Sequence, residues 1–176
     1  MIPFAKIKNV MAKIATDLSL TIIRADQKGN APAFPYCSYK ILRFINEAQH
    51  QDILEVTANG HNADKNYYYR SSAFISVSVI SDDIDEIITN ATSILNWFRT
   101  VAAREYCKTQ EMTPLLLDTN ITDRTLWLDS FYQYRYGFDF RLDYTGEYTD
   151  SIEAIETIEI TPYPDNIEGE TITVEE

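Results

Sequence analysis

The sequence predicts an α+β fold, a mostly antiparallel sheet covered by one long helix over residues 82–106, with a further helix at the N-terminus. Three observations predict it. Apolar residues recur at spacings of three and four from Ile84 to Tyr106 without a break, which places them on one helical face. Residues 131–144 alternate strictly between apolar and polar, the period of a half-buried strand. Helical and strand segments are grouped rather than alternating one for one, the order of an α+β chain rather than of a parallel α/β one.

The elements follow in order. Pro3 suits a first helical position, and Phe4, Ile7, Met11 and Ile14 then fall on one face, so residues 3–17 read as a helix. Residues 18–24 are apolar and partly β-branched and read as a strand. A loop over 26–35 contains Gly29, Asn30, Pro32 and Pro35, which interrupt regular structure. Residues 36–45 form a second strand and 52–57 a weaker third. Residues 60–66 are a polar turn, and 67–81 a long strand in which Ser76 and Ser78 alternate with Ile75, Val77 and Val79. In the long helix Ser81 or Asp82 serves as cap. Asp83, Asp85 and Glu86 fill the first turn, where the dipole favours acids, and Arg99 and Arg104 lie toward the opposite end. Such a helix spans about 35 Å, enough to cross a sheet.

Pro114 closes the next connection, residues 115–117 are a short strand, and Asp123-Arg124-Thr125 is a turn. On the aromatic strand Tyr132, Tyr134, Tyr136, Phe138, Phe140, Leu142 and Tyr144 share one face, and Gln133, Arg135, Asp139, Arg141 and Asp143 the other. The aromatic face is core, with the long helix as its cover. A base-stacking platform would sit beside an excess of basic residues, whereas two Arg here balance two Asp. Thr145 and Gly146 open a turn that ends the strand. Residues 152–160 repeat Ile at every third position apart from the last and read as a strand with a bulge.

The chain has 176 residues, 45% hydrophobic and 24% charged, the proportions of an ordinary soluble domain able to bury about 70% of its unfolded surface. Residues 1–160 read as a single α+β domain and 161–176 as an acidic C-terminal segment. The formal charge is −12, and ten of the 27 acids lie in the last thirty residues, which hold no Lys or Arg. The remaining residues carry 17 acids against 15 bases. Affinity for a phosphate backbone comes from clustered Lys and Arg, so nucleic-acid binding is not expected. The acidic segment reads as a solvated tail or as a docking strip for a basic partner.

No GxSxG, GxxxxGK[ST], HExxH or EF-hand pattern occurs, and five glycines in the whole chain argue against a Gly-rich phosphate loop. Cys37 and Cys107 form no CxxC and read as buried thiols of a reducing compartment. His50 and His61 sit in polar stretches; His61 with Asp64 makes a weak metal pair lacking further ligands. Catalysis, cofactor and metal are accordingly not expected. The N-terminus lacks the apolar core of a signal peptide, and no apolar run approaches the ~20 residues of a membrane span, so synthesis in the cytoplasm without membrane association is expected.

The segment Gln27-Lys-Gly-Asn-Ala-Pro-Ala-Phe-Pro-Tyr-Cys-Ser-Tyr-Lys-Ile-Leu42 resembles the opening of phage neck and tail-terminator proteins, a Pro-punctuated polar loop running into a Pro-Tyr strand. Tyr136-Gly-Phe-Asp-Phe-Arg-Leu-Asp-Tyr144, followed by Ile152-Glu-Ala-Ile155, looks like their closing hairpin. The resemblance covers roughly residues 3–160 and implies a tail-terminator-like fold and a non-enzymatic structural role. It implies a ring, usually of six copies, at the head-proximal end of the tail tube, which terminates tail growth and joins the tail to the head connector. The implied partners are further copies of the chain, the tail tube protein and a head-connector or stopper protein, with genomic DNA passing through unheld. The implied location is the virion neck, after synthesis in the host cytoplasm. Ile172-Thr173-Val174 could add a strand to a neighbour, which makes Ile172, Val174, Glu168 and Glu170 the candidate interface residues. A head-completion or stopper protein of the same neck, or a non-viral binding module with an acidic tail, are the alternatives.

Overall fold

A computed structural model of the chain describes residues 3–46, 52–59, 62–117, 119–128 and 131–153. Helix α1 (Phe4–Leu18) is followed by β1 (Thr21–Arg24), β2 (Tyr36–Asn46), β3 (Asp52–Asn59) and β4 (Asn62–Ser81). Then come α2 (Ile84–Trp97), α3 (Val101–Thr109), β5 (Met112–Leu116), β6 (Thr122–Asp123), β7 (Leu126–Leu128) and β8 (Phe131–Glu153). The main sheet runs β1-β2-β4-β8-β5, with β3 paired to β4 and β6 and β7 paired to β8. β1 and β2 are parallel; the β2–β4, β3–β4 and β5–β8 pairs are antiparallel. The fold is α+β with a mostly antiparallel sheet.

α1 buries Ile7, Val10, Met11 and Ile14. It ends at Ser19, whose left-handed backbone (φ 53°) returns its N–H to the carbonyls of Ala15 and Thr16, so the strand expected from residue 18 starts only at Thr21. Phe4, expected on the buried face, is 46% exposed and meets Phe44 edge-on at 5.6 Å.

The single long helix expected over 82–106 is two helices. Asn96 and Trp97 carbonyls accept from the N–H groups of Arg99 and Thr100 in tight turns. Thr100 is extended (φ −71°, ψ 151°), and its hydroxyl oxygen accepts from Ala103 N, so the residue acts as an N-cap and starts α3 afresh. The break turns the buried face: Val101 is 73% exposed, while Ala103 and Cys107 are buried in its place. An apolar spacing that continues across a cap cannot reveal such a rotation, because Val and Ala fit either side of it.

The cap of α2 is Asp83, not Ser81 or Asp82. Its carboxylate accepts from Asp85 N at 2.9 Å and Glu86 N at 3.5 Å, and Ser81 Oγ donates to Glu86 at 2.8 Å. Asp83→Ala is expected to cost about 1 kcal/mol and to lower Tm by about 2–4 °C, read by calorimetry.

β8 does not end at Thr145-Gly146; it continues to Glu153. Gly146 is a point of close approach rather than a turn, because a Cβ there would run into the ring of Tyr69. Part of the polar turn expected at 60–66 is also strand, with Asn59 opposite Asn62 where β3 meets β4. Residues 60–61 and most of the bulged strand expected at 152–160 lie outside the described residues.

The core lies on one face of the sheet. Ala73, Ile75, Val77 and Val79 of β4 and Phe138, Phe140, Leu142 and Tyr144 of β8 pack with the buried residues of the three helices. Phe98 meets Phe140 with ring centroids 4.5 Å apart. The aromatic stripe is therefore core from Phe138 to Tyr144.

The chain divides into two compact units, residues 1–50 with 69–146, and 51–68 with 147–176. The first contains the helices and this core. Within the second, Tyr67 stacks on Tyr148 at 4.6 Å, Thr149 donates to Asn66 at 2.8 Å, and Ser151 donates to Asp64.

Candidate assembly surfaces

The two cysteines are poor nucleophiles in this fold. Cys37 and Cys107 are free and buried. Burial pushes their thiols up to about 12 and about 11, so at pH 8 only about one Cys107 in a thousand is a thiolate nucleophile, and fewer still of Cys37. Neither is expected to react with a disulfide reagent in the native state, and both should react in guanidinium; a thiol titration under the two conditions checks this. Among the described residues no group of three or more His, Cys, Asp or Glu is placed to hold a metal. Asp64 accepts from Ser151, while His50 and His61 lie outside the described residues.

The sheet face opposite the core carries the alternate residues of β4 and β8, and Arg70, Arg124 and Arg141 there are paired with Asp139 and Asp143. Asp143 accepts from Arg70 Nη2 at 2.6 Å and from Ser72 Oγ at 2.8 Å. Arg141 Nη2 donates to it at 3.1 Å, and Arg141 Nε lies 2.7 Å away, off the hydrogen-bonding direction. Arg124, from the turn between β6 and β7, donates to Asp139 at 2.8 Å and to Ser76 at 2.5 Å. Burial pushes the Asp143 carboxyl up. The hydrogen bonds from Arg70 and Ser72 and the charges of Arg141 and Arg70 more than reverse this, holding it below its ordinary value. Of the two Arg and two Asp counted on β8 in the sequence, Arg135 donates to Gln133 at 3.1 Å, whereas Arg141, Asp139 and Asp143 enter an ion-pair lattice with Arg70 and Arg124. Arg124, placed in a turn by the sequence, is part of it because Arg124 N bonds to Arg135 O at 2.7 Å.

Beyond that lattice the apolar pattern comes out into solvent. β7 pairs with the start of β8, Leu126 opposite Gln133 and Trp127 opposite Tyr132. The exposures are 44% for Leu126, 58% for Trp127, 40% for Leu128 and 61% for Tyr132. Trp127 and Tyr132 lie with ring centroids 4.6 Å apart. Leu126 and Leu128 lie on the opposite face of β7 from Trp127, so the contiguous exposed surface is the Trp127–Tyr132 pair; exposed apolar surface marks contact with another macromolecule, and aromatics are enriched at the centres of such contacts. The sequence reading placed Tyr132 in the core stripe and passed over Leu126–Leu128. Three consecutive apolar residues have no face preference that spacing could detect.

The interface residues expected from the sequence, Ile172, Val174, Glu168 and Glu170, lie outside the described residues. No described helix is long and apolar enough to cross a membrane.

A scan against protein-family models matches the phage neck terminator protein family over residues 5–168. The chain belongs to that family. A search of curated proteins found no match. The family match takes in all of β1–β8 and most of α1, so the matched region contains the ion-pair lattice and the exposed Trp127–Tyr132 pair. The family is a structural one, not known for catalysis. A neck terminator is a component of the phage particle and works among the other proteins of the neck and tail.

Proposed function

We propose that six copies of this chain form a ring on the head-proximal end of the tail tube, stop its growth and join the tail to the head connector. The observation that carries this is the family match over residues 5–168. Two features of the chain support it. A cyclic ring needs two different, mutually complementary patches on each copy, and the exposed aromatic pair Trp127 and Tyr132 supplies one patch of suitable chemistry. A ring around a DNA path must let the duplex slide, and a sheet face on which Arg70, Arg124 and Arg141 are paired with Asp withholds those cations from phosphate. In this reading residues 1–160 build the ring body and 161–176 form its acidic appendage. Tail tube protein lies on one side of the ring, head-connector or stopper protein on the other, and genomic DNA runs through the centre.

The test is native mass spectrometry with negative-stain imaging over a concentration series, with and without purified tail tubes. Closed six-membered rings, free or on tube ends, are the expected result. A chain that stays monomeric and leaves tube ends bare overturns the reading.

A further inference from the structure

The charge of the chain is unevenly distributed along it. Residues 1–46 hold seven of the 15 bases and only two acids, Asp17 and Asp26. Residues 154–176 hold seven acids and no base. All seven cations lie in α1, β1, β2 and the loop joining the two strands; Lys6, Lys13 and Lys40 pair with Glu111, Asp17 and Asp26, whereas Lys8 and Arg24 lie at β1.

The β1 side is also an open edge. β1 is the end strand of the sheet order, so one side of its backbone is unpaired among the described strands. A groove of about 540 Å³ lies between α1 and this edge, lined by Phe4, Lys8, Ile22, Ile23 and Arg24 among others. Ile22 and Ile23 point to opposite faces of the strand, so the groove wraps the edge rather than lying on one face. A second cavity of about 300 Å³ continues past Ile23 and Arg24 to Arg135, whose buried Nε has no hydrogen-bond partner among the described residues. Lys8 and Arg24 have no carboxylate within salt-bridge distance among the described residues. Arg24 lies 5.8 Å over the half-exposed ring of Phe4.

A free strand edge, an apolar floor and unpaired cations together select an extended segment that is apolar at alternate positions and acidic. We propose that the β1 edge of one copy receives the C-terminal segment of a second copy. Ile172 and Val174 enter the apolar groove as an added strand, and Glu168 and Glu170 meet Lys8 and Arg24. Ile172-Thr173-Val174 is β-branched throughout, the composition strands favour. The 23 residues after Glu153 reach about 75 Å when extended, so length does not restrict the contact to one chain. Edge and segment are different patches, as a head-to-tail ring contact requires. The identity of the occupant as a second copy rests on the ring reading above; the chemistry of the groove does not.

The test is a charge swap in the full chain. K8E/R24E, at two exposed positions, reverses the groove and E168K/E170K reverses the segment; circular dichroism checks that each variant folds. Neither variant is expected to associate alone. An equimolar mixture should, because each reversed groove then meets a reversed segment and each native groove a native one. A labelled peptide of residues 154–176 should bind the native chain and lose at least tenfold in affinity for K8E/R24E, with binding weakened by salt.

The assignment is overturned if the mixture stays dissociated while the native chain assembles. It is also overturned if the quadruple variant recovers native behaviour while mixing does nothing, since the segment would then fold onto its own copy. Loss of duplex DNA binding, rather than of peptide binding, in K8E/R24E would equally overturn it. Rings that form unchanged in both variants would leave the ring reading standing and remove this contact. A mixture that pairs when the native chain forms no closed ring would do the reverse.

Discussion

Gly137→Ala is expected to abolish the native fold or to lower its stability by about 3 kcal/mol or more. A Cβ at this position would overlap the carbonyl oxygen of Val77 and lie 3.0 Å from Ser78 Cα. Both are backbone atoms of β4, which is held between β2 and β8, with Tyr39 opposite Val77 and Ser38 opposite Ser78. The strand cannot move away without breaking ladder bonds on its other side, so the clash cannot relax cheaply. Gly146→Ala is the matched comparison. Its Cβ would meet only the outer ring atoms and hydroxyl of Tyr69, which a side-chain rotation can withdraw, and it should cost about 1 kcal/mol. Urea denaturation of the two variants beside the native chain checks both values. Equal midpoints for Gly137→Ala and the native chain would mean that β4 and β8 approach less closely than the structure shows.

Asp143 carries the second large effect. Its side chain is 12% exposed, and it faces Arg141 at 22% and Arg70 at 59%. Removing the carboxylate in Asp143→Ala leaves the half-buried Arg141 guanidinium without its counter-charge and Ser72, which is 2% exposed, without its acceptor. Leaving one charge of a buried pair uncompensated costs about 3–5 kcal/mol. Solvent screening of Arg70 places the expected loss at about 3 kcal/mol. The pH dependence has a definite sign. The folded-state pKa of Asp143 is held below its ordinary value, so its contribution is fully present above the unfolded value of about 3.9 and is lost as pH falls through the folded one. The difference in stability between the native chain and Asp143→Asn should therefore be constant near neutrality and shrink below about pH 4. Thermal melts of the pair between pH 7 and pH 3 read this difference directly. A difference that does not change with pH would show that the carboxylate charge contributes nothing.

How much of this was legible in the residues depends on how far each signal reaches. Spacing along the chain is local, and the elements it fixes are those whose neighbours are uniform on one side. α1, β2, the second half of β4, and β8 from Phe138 to Tyr144 were readable because each lays one continuous face on a single core. The Pro-punctuated loop before β2 and the order of elements were enough to name the family. The ion-pair lattice was legible only as a balance of charges on β8, since which Asp meets which Arg depends on β4 and on Arg124, at least 46 residues from the Ser76, Val77 and Ser78 it contacts.

Packing between elements supplied the rest. The apolar spacing from Ile84 to Tyr106 is compatible with one helix, yet Thr100 restarts the chain, because a hydroxyl that accepts from Ala103 N competes locally with the helix it interrupts. Gly146 looks like a turn and is a contact, because what demands the missing Cβ is Tyr69, on a strand distant in sequence. The exposed ribbon at Leu126–Leu128 and Tyr132 reads as core by composition and is surface by placement, since burial is a property of what lies opposite. The placement of Lys8 and Arg24 along the β1 edge is of the same kind. Composition and periodicity record what each segment can do alone, and they settled the class of fold; the family followed from the resemblance of residues 27–42 and 136–155 and from the match over residues 5–168. The assignment of one strand's side chains to a partner, to solvent or to a neighbouring backbone follows from contacts between residues far apart in sequence, which only the folded chain brings within reach.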